Sequence, residues 1–182
     1  MKALLAVLLL ATQAVDLKVG DAAPAFASKD DTGADWKSAD HVGKKVLVVY
    51  FYPASFTGGC TKQACAYRDD QKALADAGAE VVGISADQVK AQEAFKKFHK
   101  LNFTLLADDK GEVAKAFGVA ITPGEKKVKQ KIDDKEVEFV REMSEQRWTF
   151  VIDKAGKIVY KNTKVKPDED SKAVLDVISK LK

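Results

Sequence analysis

Seven consecutive residues, Val46 to Tyr52 (VLVVYFY), are all apolar or aromatic, and six of them are β-branched or ring-bearing. No polar residue alternates with them, so a strand made from this run has to be covered on both faces. That is the pattern of a central strand in a largely parallel sheet, which helices must cover on both sides. The chain is therefore read as α/β. Pro53 ends the run, and Ser55 to Gly59 reads as a loop. A helix is then expected from about Cys60 to Ala77, closed by Gly78. Glu80 to Ser85 reads as a strand, Asp87 as the cap of a helix running through His99, and Phe103 to Leu106 as a short strand. Gly111 to Phe117 reads as a short helix. Trp148 to Asp153 and Ile158 to Tyr160 read as two strands joined by the turn Lys154 to Lys157. Asp168 to Leu181 is an amphipathic helix with Ala173, Val174, Val177, Ile178 and Leu181 on one side. Ahead of the central run, Val19 to Phe26 reads as extended. Asp31-Thr32-Gly33 and His41 to Lys45 read as turns. One central mixed sheet flanked by helices accommodates this order.

With 182 residues, 46% hydrophobic and 31% charged, the chain has the balance of one globular domain rather than of a disordered segment. Thirty basic and 27 acidic residues leave a net charge of only +3, too small and too scattered to point to nucleic acid. Two cysteines cannot build a disulfide scaffold, and two distant histidines give no metal-ligand spacing, so no metal and no cofactor is expected. The N-terminus carries Lys2, nine apolar residues from Ala3 to Ala11, and Thr12-Gln13-Ala14. This resembles a short secretory signal, with residues 1–14 removed and 15–182 forming the mature domain. The run is too short for a membrane anchor. The expected location is the periplasm or a secretory lumen, or the cytoplasm if the segment is retained.

Ile121 to Glu145 is dense in charge (KKVKQKIDDKEVEFVRE) and reads as a solvated surface hairpin turning at Asp133-Asp134. No role is assigned to its segment 124–142. His41 and His99 read as solvated, and Trp36 and Trp148 as packing residues.

Chemistry is concentrated at Pro53-Ala-Ser-Phe-Thr57-Gly58-Gly59-Cys60-Thr-Lys-Gln-Ala-Cys65, just past the C-terminal end of the buried strand, where open α/β sheets place their sites. Cys60 falls in the first turn of the following helix, where unpaired N–H groups and the helix dipole favour an anion. Gly58 and Gly59 allow backbone amides close to a small ligand, and Thr57 offers a hydroxyl. A reactive thiolate alone is not a specific enzyme; donors aimed at developing charge are needed as well. Arg147, just before the WTFVID strand, is a candidate cation. A permanent Cys60–Cys65 bridge conflicts with the helix, since five residues along a regular helix separate Cα atoms by about 8.7 Å. A disulfide needs less than about 7 Å.

The spacing Pro53-x-x-x-Thr57-x-x-Cys60 resembles the active-site motif of the peroxiredoxins. CTKQAC followed by YRDD is similar to the peroxiredoxin Q, or bacterioferritin comigratory, branch. VGDAAPAF, VVGISAD, FTLLADDKGEVAKAFGV and RWTFVIDKAGKI extend the similarity over most of the mature chain. The resemblance implies a thioredoxin-like fold and a thiol peroxidase that reduces hydrogen peroxide and organic hydroperoxides. Cys60 would be the peroxidatic cysteine, Cys65 the resolving cysteine that forms a disulfide with it, and Thr57 and Arg147 the activating partners. Pro53, Gly58 and Gly59 would shape the peroxide-binding loop. It also implies a thioredoxin-like dithiol as reductant, and a monomer or weak homodimer. Gly58-Gly59 stands where the family has Pro-Gly, and the charged insertion is longer than usual. Two alternatives stand beside this reading, both exported. One is a thioredoxin-like disulfide oxidoreductase, which would want Cys-x-x-Cys. The other is a metal-binding chaperone module, which would want Cys-x₃-Cys and a distal His.

Overall fold

The computed structural model describes residues 15–181, so the reading of 1–14 as a signal lies outside the described residues. Two short strands, β1 (Ala27–Asp30) and β2 (Asp35–Lys37), precede β3 (Val46–Phe51), which is the hydrophobic run. Then follow α1 (Gly58–Asp76), β4 (Ala79–Ser85), α2 (Val89–His99), β5 (Thr104–Ala107) and α3 (Glu112–Ala116). A long hairpin comes next, β6 (Ile121–Ile132) and β7 (Lys135–Glu145). The chain closes with β8 (Thr149–Ile152), β9 (Ile158–Asn162) and α4 (Asp170–Ile178).

One seven-stranded sheet has the order β2-β1-β5-β4-β3-β8-β9. Its centre, β3 with β4 and β4 with β5, is parallel, and the remaining pairs are antiparallel. This is the mixed sheet expected, and it explains the unbroken apolar run. Every residue of β3 is buried. Val46, Val48 and Tyr50 point into a core shared with Tyr67 and Leu74 of α1, Phe95 of α2, and Val174 and Ile178 of α4. Leu47, Val49 and Phe51 point the other way, into a core with Phe26, Trp36, Val113 and Phe117. Period-2 alternation is present in space but invisible in composition, because both destinations are apolar.

Three expectations need correction. The β1–β2 hairpin is absent from the sequence reading, which has only its turn at Asp31-Thr32-Gly33 and places extended chain before it, at 19–26. Its strands are four and three residues long and mostly polar, and its turn is held by Asp30 Oδ1 accepting from the Thr32 amide at 2.8 Å and the Ala34 amide at 3.0 Å. Asp87 does not cap α2, whose N-cap is Gln88. It turns inward, accepting from Ser85 Oγ at 2.9 Å and from the Ser55 amide at 2.6 Å. The 121–145 hairpin forms its own two-stranded sheet and turns at Asp133-Asp134, both with positive φ (47° and 63°), as a two-residue loop requires. Its tip is solvated, yet one side of β7 is not: Phe139, Arg141 and Glu145 are buried.

Gly83, in the middle of β4, is dictated by packing. A Cβ there would lie 2.6 Å from the Tyr50 ring, which stacks on Tyr67 of α1 with centroids 4.8 Å apart. Gly83→Ala is expected to destabilise by about 1–3 kcal/mol in urea unfolding, as overpacking a rigid core does. A change within about 0.5 kcal/mol would mean that Tyr50 is free to move.

Candidate active site

The loop after β3 is fixed at two points before it reaches the helix. Asp87 holds the Ser55 amide, as above. Phe56 adopts φ 62°, a left-handed conformation that costs a bulky residue roughly 1–2 kcal/mol. Its ring is stacked on Phe139 of the hairpin (5.3 Å, 11°) and packs edge-on against Phe95 (5.2 Å). Thr57, extended at φ −91° and ψ 149°, is the N-cap of α1; its hydroxyl does not cap the helix but donates to the Ala54 carbonyl at 3.1 Å. The helix thus starts two residues earlier than a start at Cys60 would give, so Cys60 is the third residue of α1, and it is 1% exposed.

Arg147 reaches this cysteine. Its Nη2 donates to Cys60 Sγ at 3.2 Å, and its Nη1 donates to Gln63 Oε1. A Cβ on Gly59 would lie 3.3 Å from Nη2, so the missing side chain leaves room for the guanidinium. A Cβ on Gly58 would meet nothing within 4 Å. Pro53 and Arg147 line one cleft of about 450 Å³, together with Thr122, Glu145 and Thr163. The residues singled out from the sequence, Pro53, Thr57, Gly59, Cys60 and Arg147, therefore converge. Cys65 sits further along α1, half-buried, and both cysteines are free thiols. On the regular helix that joins them, their Cα atoms are about 8.7 Å apart.

Other residues of the site were not anticipated. Gln63 Nε2 donates to Asp170 Oδ2 at 2.8 Å. The same oxygen accepts from the Tyr67 hydroxyl at 2.7 Å and from Thr149 Oγ1 at 2.8 Å. Burial pushes the Asp170 carboxyl up, against the opposing pull of its three donors and of Arg147. Gln63 and Tyr67 lie three and seven residues after Cys60, which places all three on one helical face, a legible signal. Asp170 carried none, standing in an ordinary acidic helix start. The two histidines are not simply solvated. His41 stacks on Trp36 (4.3 Å) and pairs with Glu80 at 2.9 Å. His99 sits against Phe56, Phe95 and Phe98, where burial, with Arg68 nearby, holds its ring below the usual imidazole range.

Beneath the loop lies a second buried group. Glu145 is 2% exposed, and neither carboxyl oxygen has a hydrogen-bond partner among the described residues. Burial, reinforced by nearby Asp108 and Asp87, pushes this carboxyl well above its ordinary value. Arg141 approaches Asp87 at 3.8 Å.

The AhpC/TSA family model matches residues 19–161. Over 170 residues the chain is 39% identical to the chloroplastic peroxiredoxin Q of Sedum lineare, covering 90% of this chain and 78% of that protein. Among solved structures, peroxidoxin BcpB from Mycobacterium tuberculosis superposes with a TM-score of 0.77 at 32% identity, covering 92% of this chain and 99% of the other. The bacterioferritin comigratory protein of Xanthomonas campestris, described for its alkyl peroxide reduction activity, superposes with a TM-score of 0.69 at 26% identity, covering 85% and 90%.

Glu145 yields a pH prediction. An acid whose native pKa is raised binds its proton more tightly folded than unfolded. Its contribution is therefore complete below the unfolded value, near 4.5. It is lost as pH rises from there through the elevated native value. Glu145→Gln keeps the shape and removes the titration. The variant is expected to match or fall slightly below the parent in urea stability at pH 4 and to exceed it increasingly towards pH 8. Parallel pH profiles for the two proteins would contradict a buried neutral Glu145.

Proposed function

Because the chain belongs to the AhpC/TSA family, in its peroxiredoxin Q and bacterioferritin comigratory group, and is a thiol peroxidase with the thioredoxin-like fold, we propose that Cys60 is its peroxidatic cysteine and Cys65 its resolving cysteine. The observation that carries this assignment is the Arg147 guanidinium 3.2 Å from Cys60 Sγ, at the N-terminus of α1. Cation and helix end both favour the thiolate. The hydroxyl proton of Thr57 is committed to Ala54. Its oxygen is therefore left as an acceptor for the O–H of a hydroperoxide.

The chemistry then follows from these groups. The Cys60 thiolate attacks the terminal oxygen of ROOH, the S–O bond forms as the O–O bond breaks, and RO⁻ departs and is protonated to ROH. Arg147 and the N–H groups of the first helical turn, which have no intrahelical acceptor, stabilise the departing oxyanion. Cys60 is left as a sulfenic acid. The Cys65 thiol attacks its sulfur, water leaves, and a Cys60–Cys65 disulfide results. A thioredoxin-like dithiol reduces that bond by exchange, becoming oxidised itself. Pro53 lines the cleft beside Arg147, and Gly59 leaves room for the guanidinium; Gly58 is proposed to let the loop amides approach the peroxide. Hydrogen peroxide and organic hydroperoxides are the proposed substrates. The alkyl peroxide activity described for the Xanthomonas protein supports the organic class. The working form is proposed to be a monomer or weak homodimer. Residues 1–14 are proposed to act as a removable export signal. Support comes from the apolar run Ala3 to Ala11, and the chloroplastic designation of the Sedum relative agrees with targeting in this group.

Two experiments test this. Cys60→Ser is expected to abolish dithiol-dependent peroxide reduction with the fold intact, because a serine hydroxyl is not ionised near neutral pH. Cys65→Ser is expected to consume about one equivalent of peroxide and then stall as a sulfenic acid or over-oxidise, seen by intact-mass spectrometry. Sustained turnover by the Cys60 variant would end the assignment.

Arg147→Ala separates two roles. Loss of the cation reduces the thiolate fraction at neutral pH, and loss of the donor raises the barrier itself by about 2–4 kcal/mol, a typical range for one oxyanion donor. The peroxide attack rate is expected to stay at least tenfold below the parent even at alkaline pH. Full recovery on raising pH would remove the transition-state role.

A further inference from the structure

The bonds around Gln63 have a direction. Arg147 is a pure donor and the Asp170 carboxylate a pure acceptor, so a glutamine between them is oriented one way only: amide oxygen to Arg147, amide nitrogen to Asp170. Asp170 Oδ2 also receives Tyr67, one turn beyond Gln63 on α1, and Thr149 of β8. This oxygen therefore ties α1, α4 and β8 together behind the reacting sulfur. Gln63 lies between the two cysteines. When Cys60 and Cys65 join, the helix between them has to unwind, because its regular separation of about 8.7 Å exceeds disulfide reach. That motion withdraws the Gln63 donor from a carboxylate that is 2% exposed.

We propose that Asp170 is a positioning residue of the peroxidatic centre: through Gln63 it holds Arg147 on Cys60, and by the same bond it opposes the unwinding of α1 that disulfide formation requires. Asp170 touches neither substrate nor sulfur. It speeds the first step and slows the second, and so lengthens the life of the sulfenic acid and favours its over-oxidation. This inference rests on the assignment of Cys60 and Cys65 above.

The test uses the full chain carrying Asp170→Asn, which can present its amide nitrogen to Gln63 and release the glutamine from its single orientation. Four quantities are measured: thiolate formation against pH by ultraviolet absorbance, stopped-flow peroxide attack, the rate of disulfide formation, and the sulfinate fraction per turnover by mass spectrometry. At pH 7 attack is expected to slow about tenfold, with Cys60 ionising at higher pH. Disulfide formation is expected to be faster and sulfinate to fall. Ser171→Ala is the control, since Ser171 bonds Asp70 at 2.7 Å across the same α1–α4 contact without facing Gln63. It is expected to lower stability and leave thiolate formation as in the parent. Unchanged attack and ionisation in the Asp170 variant overturn the proposal. So does an equal ionisation shift in the Ser171 variant, which would make the effect general loosening. Slower disulfide formation overturns the second role. Should Asp170→Asn not fold, Asp170→Glu, which displaces the carboxylate by one methylene, is judged by the same four readouts. Peroxidase activity surviving in Cys60→Ser would instead fail the underlying assignment.

Discussion

The first turn of α1 can deliver a thiol to a guanidinium only if the helix is held in place over the sheet. Two interactions made a turn or two further on do this. Tyr67 stacks on Tyr50 of β3, and its hydroxyl reaches the single oxygen of Asp170 that also takes Gln63 and Thr149. A buried carboxylate is costly unless its lone pairs are used. Three donors on one oxygen meet that cost, although the other oxygen has no partner among the described residues. The arrangement trades some stability for direction: an apolar residue in place of Asp170 would pack, but it would leave the glutamine unoriented.

The same logic explains where the sequence was readable. The apolar run at 46–52 could only be a strand covered on both faces, and the Pro, Thr and Cys spacing after it could only be a loop feeding a helix N-terminus. Both are local, covalently spaced signals. Arg147 is 87 residues from Cys60; the need for a cation and its place before the WTFVID strand made it a candidate, and the similarity of its surroundings to the peroxiredoxins strengthened that reading. Asp170 lies further still and looks like any acidic first-turn residue, so its contacts became visible only where three elements meet. Asp87 shows the reverse case. Its position before a helix made a cap the natural reading. The Ser55 amide, brought close by the loop, outcompeted the helix N–H groups for the carboxylate. The β1–β2 hairpin was missed because three- and four-residue polar strands carry no usable periodicity.

The charged hairpin combines two regimes. Near its tip, pairs such as Lys129 with Glu136 and Lys131 with Asp134 are exposed and contribute little to stability. Further down β7, Phe139, Arg141 and Glu145 are buried, and Phe139 lies flat on Phe56. That contact offsets the backbone cost at Phe56 and keeps the loop in the shape that starts α1. Composition described the first regime well and concealed the second, because a single phenylalanine among lysines and glutamates does little to the average.

Cys60 is 1% exposed while Cys65 is only half-buried. Reactivity and accessibility are therefore divided between the two sulfurs in opposite senses. A hydroperoxide is slim enough to be held end-on where we place it, between Thr57 and Arg147, whereas a bulky aromatic disulfide or a maleimide finds no such foothold. Conventional sulfhydryl reagents will count Cys65 first and report the reduced protein as sluggish, although the other thiol is the one proposed here for fast oxidation.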